Sequence, residues 1–248
     1  MMKKTMAFLS VFVLLCGLMI PTGSLAVSNS NIKKMPYSAV AVIRSEFRCG
    51  CERWYSGFMV ASNALVASGV TFLCPTHNKK ATAFEFWFGY ISRNNCKYHY
   101  NGSTTYRYYC DFTDGFDDTN CIGYVVFPSD IGKSTGWFAS RFSDATTLED
   151  SDIIGSSKPT YFDRYGYENY YADQDTVFVT DQTAKKIGFT RRGTLDMMVG
   201  TPLCRDIYGD DQPRAYAVYV SQNDTTRYAR KLTHNIYDDM KRDGVHFN

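Results

Sequence analysis

The chain has 248 residues, 27 Lys and Arg against 25 Asp and Glu, a formal charge of +2, and 44% apolar residues. This near-neutral balance, with no basic stripe, argues against nucleic acid or an anionic membrane as a bulk electrostatic partner. The length suits one large domain or two fused barrels, and at that size roughly 70% of the unfolded surface is buried, so stability needs no unusual staple.

The opening Met1-Met2-Lys3-Lys4, the apolar run 7–20 and the small-residue site Ser24-Leu25-Ala26 read as a secretory leader over 1–26, of bacterial type. Gly17 and Pro21 interrupt the apolar stretch, which is shorter than the roughly 18–20 residues a spanning helix needs, and no later segment approaches that length. A lipid anchor at Cys16 is disfavoured by Leu15, where a small residue is usual. The expectation is a protein that leaves the cytoplasm, without a membrane span, whose folded part is 27–248.

Short β-branched and aromatic runs follow at 39–43, 58–66, 82–88, 122–127, 176–180 and 215–220, separated by Gly, Asn, Asp and Ser clusters at 92–95, 114–118 and 143–147. This predicts an all-β chain with hairpin loops. Helical periodicity appears only at Leu232, Ile236 and Met240, which predicts one C-terminal helix.

Seven cysteines follow the leader: Cys49, Cys51, Cys74, Cys96, Cys110, Cys121 and Cys204. Export favours disulfides, and the odd count leaves at least one thiol free or joined to another chain. Cys96 and Cys110 bracket a Tyr-rich stretch and are the expected pair. A zinc reading of Cys49-Gly50-Cys51 is set aside, because one-residue spacing is unusual for zinc and His77 is the only nearby imidazole. His77, in the polar turn Cys74-Pro-Thr-His77-Asn-Lys-Lys, reads as a surface residue. Asp111, Asp114, Asp117 and Asp118 miss the EF-hand spacing and lack its closing Glu, so they read as an acidic hairpin loop. No metal or cofactor is expected. Tyr98, Tyr100, Tyr106, Tyr108 and Tyr109, with a second group including Tyr165 and Tyr167, are dense for loops. They suit a surface that stacks on sugars or proteins, and equally ordinary strand packing. Two glycosylation sequons begin at Asn101 and Asn223, and they have meaning only in a eukaryotic host.

Three segments carry a family resemblance. Residues 57–71 read GFMVASNALVASGVT, which is similar to the G-F-L-I-G-P-N-T-V-L-T-A-G-H-C stretch of V8-like glutamyl endopeptidases, a branch of the trypsin-like serine proteases. Residues 121–138 read CIGYVVFPSDIGKSTGWF and resemble D-Y-A-V-I-K-L-x-x-P-I-G-x-x-T-G-W-F, with Asp130, Ile131, Gly132, Thr135, Gly136, Trp137 and Phe138 at the matching spacing. Residues 193–202 read GTLDMMVGTP and resemble D-T-x-x-G-x-S-G-S-P. The likeness spans about 37–241.

The resemblance implies two six-stranded antiparallel β-barrels with a cleft between them, a first barrel over 27–145, and a second barrel plus C-terminal helix over 146–248. It also places Val70 where the family has its general-base histidine, Cys121 at the orienting aspartate and Val199 at the nucleophilic serine. Met197 replaces the glycine whose amide helps form the oxyanion hole, and in YAVYVS, Tyr219 and Ser221 stand at the specificity pocket, Tyr219 in place of a glycine that keeps it open. Cys74 paired with Cys51 or Cys49 is the next expected disulfide, flanking the two strands of the histidine-bearing hairpin.

Valine has no lone pair to accept a proton, and a neutral thiol does not orient an imidazole as a carboxylate does. Loss of a whole triad costs on the order of a million-fold in rate, about 8 kcal/mol. The expectation is an exported pseudoprotease that binds a protein, peptide or glycan. The alternatives are an active serine endopeptidase with its site elsewhere, and an adhesive or structural surface protein joined through the odd cysteine.

Overall fold

The computed structural model describes residues 29–92, 94–110, 121–140, 142, 151–156, 172–191, 198–205, 214–222 and 226–247. The leader, the acidic loop with Asp111 to Asp118, the 143–147 cluster, Tyr165, Tyr167 and Met197 lie outside these residues. No helix among the described residues is long and apolar enough to cross a membrane.

The first sheet is built from β1 (Val40–Phe47), β2 (Glu52–Ala61), β3 (Ala64–Ser68), β4 (Ala81–Phe88), β5 (Tyr98–Tyr100), β6 (Thr105–Tyr109) and β7 (Ile122–Val126), in spatial order β5-β4-β1-β2-β3-β7-β6. The second holds β8 (Ala139–Ser140), β9 (Ser151–Ser156), β10 (Ala172–Gln182), β11 (Lys186–Arg191), β12 (Pro202–Arg205), β13 (Arg214–Gln222) and β14 (Arg227–Lys231). Its order is β12-β9-β10-β11-β14-β13, and β12 also pairs with β13, so six strands close on themselves with no free edge. The seventh, β8, runs parallel to β13.

All six sequence runs fall on strands. The 58–66 run is a hairpin rather than one strand, because Ser62 and Asn63 form the turn between β2 and β3. Ala139 and Ser140 lie before the expected boundary, yet they already pair with the second sheet. The C-terminal helix, His234–Arg242, follows the second sheet in sequence and packs on the first. Ile236 and Met240 join Phe58, Leu65, Tyr124 and Phe127 in one core that also takes in Val218 and Val220.

Polar contacts fix the helix in place. Arg107 Nε and Nη2 donate to the two carboxylate oxygens of Asp243 at 3.0 and 2.9 Å, and Tyr124 Oη donates to the same group at 2.6 Å. Asn63 Nδ2 donates to the Gly244 carbonyl, and the His246 amide donates back to Asn63 Oδ1.

The tyrosine stretch, for which a binding surface and strand packing are equal readings of the sequence, belongs to strands β5 and β6. Tyr98, Tyr100 and Tyr108 are half-buried and pack on the core, Tyr100 edge-on to Phe127 at 5.1 Å and Tyr108 stacked on Tyr106 at 6.5 Å.

Candidate functional site

β3 ends at Ser68 and the chain turns through a single 3-10 turn, Gly69–Thr71. Val70 sits on that turn, 5% exposed, in an apolar cluster with Phe47, Tyr55, Cys74 and Ala81. The pairing of Ser68 with Ile122 between β3 and β7 brings Cys121 beside Gly69, whose amide donates to the Cys121 carbonyl at 3.0 Å. The approach is so close that a Cβ on residue 69 would lie 2.3 Å from Cys121 Cβ and 3.0 Å from Cys110 Sγ. Glycine is therefore required there.

Cys121 is disulfide-bonded to Cys110, fully buried. This corrects the Cys96–Cys110 pairing: Cys96 is unlinked and half-buried. The antiparallel register of β6 with β7 sets Tyr109 opposite Ile122, so the residues just outside that pair, Cys110 and Cys121, face one another. Sequence spacing favoured Cys96 only because it did not carry that register.

Val199 arrives from the second sheet. Its carbonyl accepts the Ser56 amide of β2 at 2.8 Å, and its side chain packs against the cluster that contains Val70. Gly200 follows with φ +101°, and a Cβ there would lie 1.7 Å from the Ser56 carbonyl oxygen. The amide of Gly200 donates to the Tyr219 carbonyl at 2.7 Å, and the Tyr219 amide donates to Thr201 at 2.9 Å. Tyr219 is 1% exposed with its ring edge-on to Phe189 at 5.8 Å, while Ser221 is buried nearby on β13. Val70 and Val199 thus share one largely apolar cluster where the second-sheet segment meets the first sheet, and Cys121, beside Gly69, is held in a disulfide.

The Asp130-Ile-Gly stretch is a joint. Gly132 donates to the Ser62 carbonyl at 2.7 Å, and Asp130 accepts Ser62 Oγ at 3.0 Å and Lys133 Nζ at 2.8 Å. Lys133, with help from Ser62 and His246, holds the Asp130 carboxyl down at about 2.

A second constellation lies on the other side of Val70. β1 pairs with β2 on one edge and β4 on the other, so the Cys49–Cys51 turn and the turn carrying Cys74 and His77 sit side by side at one end of the sheet. The Arg48 amide donates to the Lys80 carbonyl at 3.1 Å across them. The ligand atoms of Cys49, Cys51, Cys74 and His77 all lie within 4.8 Å of one another. The expected pairing of Cys74 with Cys51 or Cys49 is corrected, since all three thiols are unlinked. His77 is exposed, as expected of a surface residue, and its Nδ1 lies 3.4 Å from Cys51 Sγ and 3.7 Å from Cys74 Sγ. The available signal was the Cys74-x-x-His77 spacing; what the sequence did not display was β1 lying between β2 and β4.

No protein-family model matches the chain, and no curated protein matches it by sequence. Solved structures match its fold. A Glu endopeptidase solved with MPD is 15% identical, with a TM-score of 0.65 over 90% of this chain and 97% of that one. HL collagenase is 10% identical, TM-score 0.61, over 92% and 100%. The scabies mite inactivated protease paralogue S-I1 is 11% identical, TM-score 0.59, over 89% and 97%. The two curled sheets, with one longer helix among the described residues, match the chymotrypsin-like two-barrel fold.

Proposed function

We propose that this chain is an exported, V8-like pseudoprotease that serves as a binding module rather than a peptidase. The observation that carries the reading is the apolar cluster at the seam: Val70 lies within it and Val199 packs against it, while Cys121, against Gly69, is held in a disulfide. Proton abstraction from a nucleophile needs a base with a lone pair within about 3 Å, and neither valine supplies one. A protease fold without activity has a counterpart in the scabies mite protein, which is described as an inactivated paralogue. The ligand class is a protein, peptide or glycan recognised by loops on the barrel ends.

The test is exposure of the purified chain to a fluorophosphonate probe together with a peptide library cleavage assay. No covalent adduct and no cleavage are expected; a stoichiometric adduct on any serine overturns the reading.

A second reading has one observation in its favour: His77 Nδ1 stands 3.4 Å from Cys51 Sγ, a spacing that suits a thiol–imidazole pair. Hydrogen bonding with the neighbouring Cys49 pushes the Cys51 thiol up to about 11, which opposes a reactive thiolate at neutral pH. Cleavage of peptides abolished by stoichiometric alkylation of Cys51 would favour this second reading.

A further inference from the structure

Three sulfurs and an imidazole converge from two tight turns, and we infer that they form a structural zinc site made of Cys49, Cys51, Cys74 and His77. In tetrahedral zinc, bonds of about 2.3 Å to sulfur and about 2.05 Å to nitrogen set sulfur–nitrogen edges of about 3.5 Å and sulfur–sulfur edges of about 3.8 Å. Two of the three sulfur–nitrogen separations, 3.4 and 3.7 Å, bracket the first value, and every other separation is within 4.8 Å.

Each turn is built to present its donors. Gly50, between the two cysteines, adopts φ +81°, its amide donates to the Phe47 carbonyl at 2.8 Å, and the Phe47 amide donates to Cys51 at 2.9 Å. In the other turn, the Asn78 amide donates to the Cys74 carbonyl at 2.8 Å, Asn78 itself has φ +51°, and the Cys74 amide donates to Lys79 at 2.9 Å.

Without a cation, four electron-pair donors crowd together with only weak S–H groups to relieve them. Binding releases the three thiol protons and leaves a closed four-ligand set, the form of a structural rather than a catalytic centre. Soft thiolates with one imidazole select zinc over calcium or magnesium. The ion would join the β1–β2 turn to the β3–β4 connection and hold the Val70 turn between them, because Cys74 and Val70 share one apolar cluster. This site does not depend on whether the neighbouring seam is inert.

The test uses the full exported chain purified without reductant or chelator. Metal analysis should find one zinc per chain. After exchange with cobalt(II), the spectrum should show the sulfur-to-metal charge-transfer band and the intense visible bands of a tetrahedral centre. Cys51→Ser should abolish those bands, and His77→Ala should weaken and shift them. Cys74 is buried, so its variant risks misfolding; exposed His77 provides the control, and a chelator should lower the melting temperature of the wild type by more than it lowers that of His77→Ala. A non-reducing peptide map that joins Cys74 to Cys49 or Cys51 overturns the proposal, as does a cobalt spectrum indifferent to both substitutions.

Discussion

The Ser56 amide donates to the Val199 carbonyl at 2.8 Å, a backbone bond that crosses from the first sheet to the segment entering β12. It stitches the two halves at the seam where the family-like motifs meet. The next residue shows how tight that seam is: Gly200 has φ +101°, and its missing Cβ would overlap the Ser56 carbonyl oxygen.

Gly200→Ala should therefore destabilise the protein by more than about 2 kcal/mol, because the backbone conformation and the contact both exclude a methyl group. Chemical denaturation monitored by tryptophan fluorescence should register a clear drop in midpoint. An unchanged midpoint would mean that the seam is looser than described.

Cys121→Ser removes the bridge to Cys110, which closes a loop with a sequence separation of 11. Chain entropy alone assigns such a loop about 3 kcal/mol. For a chain of this size the melting temperature should fall by roughly 6–12 °C. Cys110→Ser should give the same loss, and the double variant should be no worse than either, since one bond is lost in all three.

Val70→His restores the family's residue type but places an imidazole among Phe47, Tyr55 and Ala81. The cost should be about 1–3 kcal/mol, read as a lowered denaturation midpoint. Combined with Val199→Ser it should still give no peptide hydrolysis, because Cys121 is tied up and no orienting carboxylate is supplied. Measurable turnover by the double variant would count against a filled seam.

Asp243 gives an acid dependence. Burial pushes its carboxyl up, but the Tyr124 hydroxyl and the Arg107 guanidinium outweigh that and hold it below the ordinary value. A depressed carboxyl contributes stability that is present above its unfolded pKa and lost as pH falls through its folded one. Wild type should thus lose helix anchoring on acidification below the usual carboxylate range. Asp243→Asn should weaken the protein by about 1–2 kcal/mol at neutral pH and flatten that acid limb. Denaturation midpoints taken over a pH series distinguish the two profiles.

Short β-branched and aromatic runs set between turn signals made the strands legible, as at Val40 to Phe47 and Ile122 to Val126, both of which the fold buries almost continuously. The Asp130-Ile-Gly motif was legible too, because Gly132 and Ser62 need each other's backbone. Pairing partners were not. Whether Cys110 meets Cys96 or Cys121 depends on the register of β6 on β7, and whether His77 meets Cys51 depends on β4 joining the far edge of β1. Both are long-range choices that no local spacing encodes. Composition likewise could not separate tyrosines that pave a strand face from tyrosines that meet a partner, as Tyr100 against Phe127 demonstrates.

The helix that closes the first sheet, His234–Arg242, lies more than a hundred residues downstream of the strands it covers. Asn63 finds its partners at Gly244 and His246, and Arg107 waits for Asp243. The first seven strands, although complete in sequence long before, lack this cover until the helix has folded back onto them. A chain cut short before Ile236 would thus leave Tyr124 and its neighbours wet in the barrel that was finished first.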